Sequence, residues 1–253
     1  MSFSLNASAH EFWLESDPFI TAPDNSIDVH IKIGQLFNGR SYPYLEHEAV
    51  SYHTLDERGL VPIKAMTGDK PALRYSLEAS GYRMVGYEST AFHIKFDDTV
   101  KFVTYLRAEG LESALSWYKT TGTSMDGATE TYYRHAKTLA GTAGAAEPNW
   151  LSEPMGHRLE IIPQRGITQC ASQPSFQVLW QGEPVEGLLV RRFRKDSKES
   201  DELRTNSEGL VTFNAIEGAF LMNTVRIAKG SESPRGEGRD WYSDWASFTY
   251  ECE

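Results

Sequence analysis

The chain has 253 residues, 40% hydrophobic and 12% aromatic, enough apolar material for one large core or two of roughly 100 to 150 residues each. Its 25 lysines and arginines against 35 aspartates and glutamates leave a net charge of -10, and no basic stripe with interleaved aromatics follows a phosphate backbone, which argues against a nucleic-acid partner. No apolar run approaches the roughly 18 to 20 residues of a membrane span, so the mature chain is expected to have none.

Met1 to Leu5 lack the basic start and apolar core of a full export signal, yet Ala7-Ser8-Ala9 has small residues where signal peptidase requires them. Residues 1–9 are therefore read as a signal remnant, which makes His10 the working N-terminus and the protein periplasmic or secreted. A cytosolic N-terminus with three small residues by chance is the alternative.

Ile27 to Ile33 alternates apolar and polar residues, the pattern of an antiparallel strand with one wet face. Val50–His53, Leu73–Leu77, Tyr82–Tyr87 and Phe92–Phe96 predict further strands at about 10-residue spacing, as in a sandwich. Between Glu109 and Lys119 the period changes, with Leu111, Ala114, Leu115 and Tyr118 at helical spacing. Thr120 to Ala128 reads as a loop. Tyr132 to Leu139 fits strand and helix equally. The small residues of Gly141 to Asn149 approach a domain boundary near 150 to 157.

Beyond it, Leu159–Pro163, Ser175–Gln181, Leu188–Lys195, Gly209–Asn214, Phe220–Ala228 and Ala246–Cys252 predict strands with no amphipathic helix among them, a small Greek-key sandwich. Charged Lys195 to Arg204 reads as a solvated hairpin loop. On the last strand, alternation sets Tyr242, Ala246, Phe248 and Tyr250 against Trp241 and Trp245, and core packing is favoured over a sugar platform for each ring. The expectation is a mainly β protein of two sandwich-like domains, with one or two short helices in the first half: a β-rich domain over 10–155 and a sandwich over 156–253.

Cys170 and Cys252 are the two cysteines. In an oxidising compartment they can close a loop of 252 − 170 = 82 residues, worth about 4 kcal/mol in the chain-entropy model; two separate buried thiols are the alternative. With no C-x-x-C, a thioredoxin-type redox centre and a zinc knuckle lack support.

Four separated motifs occur in order: His10-Glu11-Phe12-Trp13-Leu14; Leu159-Glu160-Ile161-Ile162-Pro163; the 182–190 stretch Gly-Glu-Pro-Val-Glu-Gly-Leu-Leu-Val with Asn206-Ser207-Glu208-Gly209; and the closing 240–249 stretch Asp-Trp-Tyr-Ser-Asp-Trp-Ala-Ser-Phe-Thr. Together they resemble the DUF4198 family. The resemblance implies an exported bacterial domain associated with nickel and cobalt uptake, with a second half like transthyretin, and a membrane metal transporter as partner.

A chain starting at His10 offers an α-amine and an imidazole, both able to be neutral near pH 7, a chelate suited to Cu(II) or Ni(II). A second histidine would complete a three-nitrogen brace, and spacing does not choose among His30, His47, His53, His93, His135 and His157. His135 and His157 are preferred because they adjoin motif-bearing segments at the domain junction, and Glu11 can add a carboxylate. The metal candidates are thus His10, Glu11, His135 and His157, for nickel, cobalt or copper. His10-Glu11 also begins like H-E-x-x-H, but Leu14 occupies the second histidine position. Nucleophile elbow, phosphate loop and dinucleotide turn are missing too, so no catalytic residue is assigned and the leaning is away from an enzyme. The leading expectation is a metal-binding accessory protein. A copper oxidase acting on polysaccharide through an N-terminal histidine, and a metal-free carbohydrate- or protein-binding sandwich, are the rivals.

Overall fold

The computed structural model describes residues 11–77, 81–170, 173–195 and 197–252. The expected signal remnant Met1–Ala9 and His10 lie outside them. In the first half, β1 (Glu11–Asp17), β2 (Ile20–Thr21), β3 (Ser26–Gln35), β4 (Asn38–Tyr42), β5 (Ala49–Asp56), β6 (Gly59–Pro62), β7 (Leu73–Ser76), β8 (Tyr82–Ser89) and β9 (Phe92–Lys95) precede two helices, α1 (Thr99–Ala108) and α2 (Glu112–Thr121). The long β10 (Thr129–Thr142) follows. After it come β11 (Leu159–Arg165), β12 (Ser175–Trp180), β13 (Glu183–Pro184), β14 (Leu189–Arg194), β15 (Ser200–Arg204), β16 (Leu210–Thr212), β17 (Gly218–Lys229) and β18 (Trp241–Cys252). The chain is mainly β and sandwich-like, with both α-helices in the first half, as the sequence leads one to expect.

A central sheet runs in the order β15-β14-β17-β18-β10-β8-β5-β6, and β2 and β9 also pair with β10. Strand β10, from the first half, pairs parallel with β18, the last strand, over Glu130–Thr138 and Trp241–Thr249. Residues on both sides of position 155 therefore share one sheet. Against one face lies a layer of β11, β12, β13 and β16, where Ile161, Phe176, Val178 and Val211 pack on Ala246, Phe248 and Tyr250 of β18. Against the other lies the sheet β1-β3-β4 with β7 on β3; its Leu14, Val29 and Ile31 pack on Val85, Tyr87 and Ala136. The helices cover the rest of that face, closing Phe102, Leu106, Ala114 and Tyr118 over Val225 and Trp241. The aromatics of the last strand are core on both faces, split as alternation requires.

Three local expectations change. Helix α1 was not expected; Asp98 caps it by accepting from the backbone N–H groups of Val100 and Lys101. Gly110, at φ 65°, then ends α1 in the left-handed region, with Leu111 N–H bonded back to Leu106, which delays the start of α2 from Glu109 to Glu112. The ambiguous Tyr132–Leu139 is strand, within β10. The second half of Lys195–Arg204 is not loop but β15, paired antiparallel with β14. Its charges suit a sheet edge, where they discourage pairing with another chain. Cys170 and Cys252 form a disulfide with Cα atoms 5.5 Å apart, closing the 82-residue loop. No helix among the described residues is long and apolar enough to cross a membrane.

Candidate functional site

Because side chains alternate along a strand, β10 turns two sets of polar residues to opposite sides. His135 and Lys137 point toward the β11/β12 layer; Glu130, Tyr132 and Arg134 point the other way.

On the first side His135 is buried and engaged at both ring nitrogens, Nδ1 with Glu88 Oε1 at 2.9 Å and Nε2 with Asp244 Oδ1 at 2.8 Å. Burial works against charge on this ring, but the bonds to Asp244 and Glu88 outweigh it and hold the pKa above the ordinary histidine value. Burial likewise opposes ionisation of Glu88, yet the bond from His135 and the neighbouring charges bring its carboxyl down to about 2. The two acidic side chains thus favour the charged form of the imidazole held between them.

His157 is brought beside it, with ring centroids 6.2 Å apart. It sits over Gly86 of β8, where a β-carbon would lie 3.0 Å from His157 Cε1 and 2.7 Å from the Met155 thioether, so only glycine leaves room for both. Burial pushes His157 down to about 4 and keeps it neutral. Next to it Lys137 Nζ donates to Glu160 Oε1 at 2.7 Å, and Glu160 also accepts from the backbone N–H groups of Met155, Gly156 and His157.

The sequence candidates therefore fall into two places. His135 and His157 come together under the β11/β12 layer. Glu11 starts β1, buried, with Arg191 Nη2 3.6 Å from its Oε1. Arg191 also pairs with Glu109. Burial raises Glu11 above its usual value and Glu109 to about 7. Glu11 Oε2 has no hydrogen-bond partner.

As donors for a transition metal the two places differ. A metal at His135 would have to displace protons from two charge-assisted hydrogen bonds, and among the described residues no group of three histidine, cysteine or acidic side chains is arranged around one point. The Glu11 edge offers a carboxylate oxygen with nothing bonded to it. Sequence reasoning missed Glu88, Glu109 and Arg191, which belong to no motif, and gave no role to Asp244 although it lies in the closing 240–249 motif; all four are far along the chain from the residues they contact.

On the other side of β10 a groove of about 1810 Å³ opens between the β3–β4 hairpin and β9. Its aromatic lining includes Phe12, Phe37, Phe92, Tyr105, Tyr132 and Trp245, and the buried Glu130 also forms part of its wall. The guanidinium of Arg134 lies over the rings of Phe12, Phe92 and Tyr132 at 4.9, 4.7 and 5.2 Å.

The described residues define a class of disulfide-bridged, mainly β, sandwich-like protein with an aromatic-lined groove. The model of a domain of unknown function, DUF4198, matches residues 7–227, and the chain belongs to that family. No curated protein matches it.

Proposed function

We propose that the protein is an exported, non-catalytic accessory that takes a divalent transition metal, nickel, cobalt or copper, as cargo at the edge where β1 begins and passes it to a membrane transporter. The observation that carries this reading is Glu11, a buried carboxylate with an unbonded Oε2 one residue after His10. A mature chain starting at His10 adds an α-amine and an imidazole, giving a nitrogen-rich set of the kind that Cu(II) and Ni(II) favour. Metal binding there competes with protons for the α-amine, the imidazole and the Glu11 carboxyl, and so strengthens as pH rises. The Cys170–Cys252 bridge supports export, because such bridges persist in oxidising compartments. His135 has no part in this reading, since both its nitrogens are engaged.

The test is calorimetric titration of Ni(II), Co(II) and Cu(II) into protein that begins at His10 and into the same protein with one residue added before it. The extra residue turns the α-amine into an amide and should weaken binding roughly tenfold or more; Glu11→Gln should weaken it too, and His157→Phe should not. Equal binding by the two forms, or a loss confined to His157→Phe, would overturn the site. Protein recovered from its native host should begin at His10.

A further inference from the structure

Among the described residues seven carboxylates are buried. Six of them, Glu11, Glu15, Asp56, Glu109, Glu160 and Asp244, each have a lysine, arginine or histidine within ion-pair distance. The seventh is Glu130. At 1% exposure it is among the most deeply buried of the set, and its contacts are all neutral. Oε1 accepts from the hydroxyl of Tyr105 at 3.0 Å and from that of Ser243, and Ser243 Oγ accepts from the Trp245 indole N–H at 2.9 Å. Oε2 has no partner. Burial without a cation pushes the carboxyl up to about 7.

Glu130 is not enclosed on all sides, since it forms part of the groove wall together with Phe96, Tyr105 and Trp245. The Tyr105 ring lies stacked between Phe96 and Trp245, 5.6 Å from each and within 11° of parallel. This arrangement fixes the hydroxyl on Glu130 Oε1 and leaves Oε2 as the free oxygen. A lone buried acid is costly to the fold, and here it lines a groove of mixed aromatic and charged walls large enough for a small molecule, with Phe96, Tyr105 and Trp245 beside it.

We propose that this groove binds a small primary amine in its ammonium form, with the ammonium donating to Glu130 Oε2 and the carbon body lying along the aromatic wall. The ligand would supply the cation that the fold gives every other buried carboxylate, in a setting where water does not screen the pair. A metal ion fits less well, because one free carboxylate oxygen is a poor coordination set and the neighbouring donors are hydroxyls already in use. Arg134, four residues along the same face of β10, repels a cation from its own end of the groove, so the ammonium is directed to the Glu130 end. This site is separate from the metal reading and stands without it.

The experiment is titration of the full chain with benzylamine and, as its neutral counterpart, benzyl alcohol, at about pH 8, where Glu130 is ionised and the amine remains protonated. Benzylamine should bind roughly tenfold or more tightly than the alcohol, and Glu130→Gln should remove the difference while leaving the near-ultraviolet circular dichroism unchanged. Equal binding of the alcohol would make this a groove for neutral ligands and overturn the proposal. So would failure of both probes to bind, or a preference for the amine that survives in Glu130→Gln. Should that variant not fold, carbon-13 labelling of glutamate in the unaltered chain and in Glu109→Gln decides the matter: of the two carboxyls expected near 7, the one that persists in Glu109→Gln is Glu130 and should move down when benzylamine is added, and a titration that stays in place counts against Glu130.

Discussion

The two faces of β10 carry buried charge in opposite ways. Toward the β11/β12 layer, His135 sits between Glu88 and Asp244, and Lys137 meets Glu160, so every formal charge has an opposite one within hydrogen-bond distance. Toward the groove, Glu130 has only neutral donors and Arg134 lies on three aromatic rings with no ion pair among the described residues. Both faces belong to one strand in the middle of one sheet, so depth alone does not separate them. What separates them is whether the fold supplies the counter-charge. Paired buried charges need nothing from outside and mainly fix register and packing between layers, whereas a buried acid without a cation remains where a ligand can stabilise the protein.

The strongest way to break this comparison is to unpair the paired face. His135→Leu removes the ring between Glu88 and Asp244 and leaves Asp244, among the described residues, only the Arg158 guanidinium at 3.5 Å, and should cost about 3 kcal/mol in urea unfolding at neutral pH. A loss below about 1 kcal/mol would mean that water already compensates these carboxylates, and that the two faces differ less than their contacts indicate.

The next effect is read through pH. His157 has its pKa lowered to about 4 by burial, so the unfolded chain takes up a proton that the folded one refuses, and stability falls as pH drops from about 6.5 toward 4. At pH 5 this amounts to about 2 kcal/mol. His135 has the opposite sign: its pKa is raised, so its contribution is complete below the unfolded value and is lost as pH rises through the folded one. Glu88, lowered to about 2, contributes above about 4.5 and loses that contribution as pH falls through its folded value. His157→Phe should therefore shrink the drop in stability between pH 7 and pH 5 by about 2 kcal/mol. An unchanged drop would mean that His157 is protonated in the folded state and belongs with the charged network.

Much of the framework was legible because half-buried strands alternate, as Ile27 to Ile33 does, and because the second half spaces its strands evenly. Tyr132 to Leu139 could not be resolved because β10 is covered on both sides, which removes the alternation that identifies a strand. Helix α1 was hidden by its start: Asp97-Asp98-Thr99 looks like a turn after β9, although Asp98 followed by Phe102, Tyr105 and Leu106 is a cap and an apolar stripe. At the candidate sites, His135 and His157 were preferred as metal ligands because they adjoin motif-bearing segments, and the fold sets their rings 6.2 Å apart. The partners that determine what they do, Glu88 at 47 residues and Asp244 at 109 residues from His135, follow only from tertiary pairing. Glu130 drew no notice, since an acid between threonines in a strand carries no motif and its significance lies in a cation that the fold does not bring to it.

That missing cation also gives the smallest and most discriminating stability test. Glu130→Gln keeps an oxygen to accept from Tyr105 and Ser243 but has no proton to lose. In the parent, the carboxyl ionises near 4.5 when unfolded and only near 7 when folded, so its burial is increasingly costly as pH rises across that interval and constant above it. The amide offsets part of this relief by burying an N–H without a partner. The net expectation is a gain of about 1 kcal/mol at pH 8 that fades as pH approaches 4.5, the reverse of the His157 trend on the other side of β10. If the variant instead loses stability at pH 8, the folded protein already supplies Glu130 with a cation, and the groove face of β10 is balanced like the other.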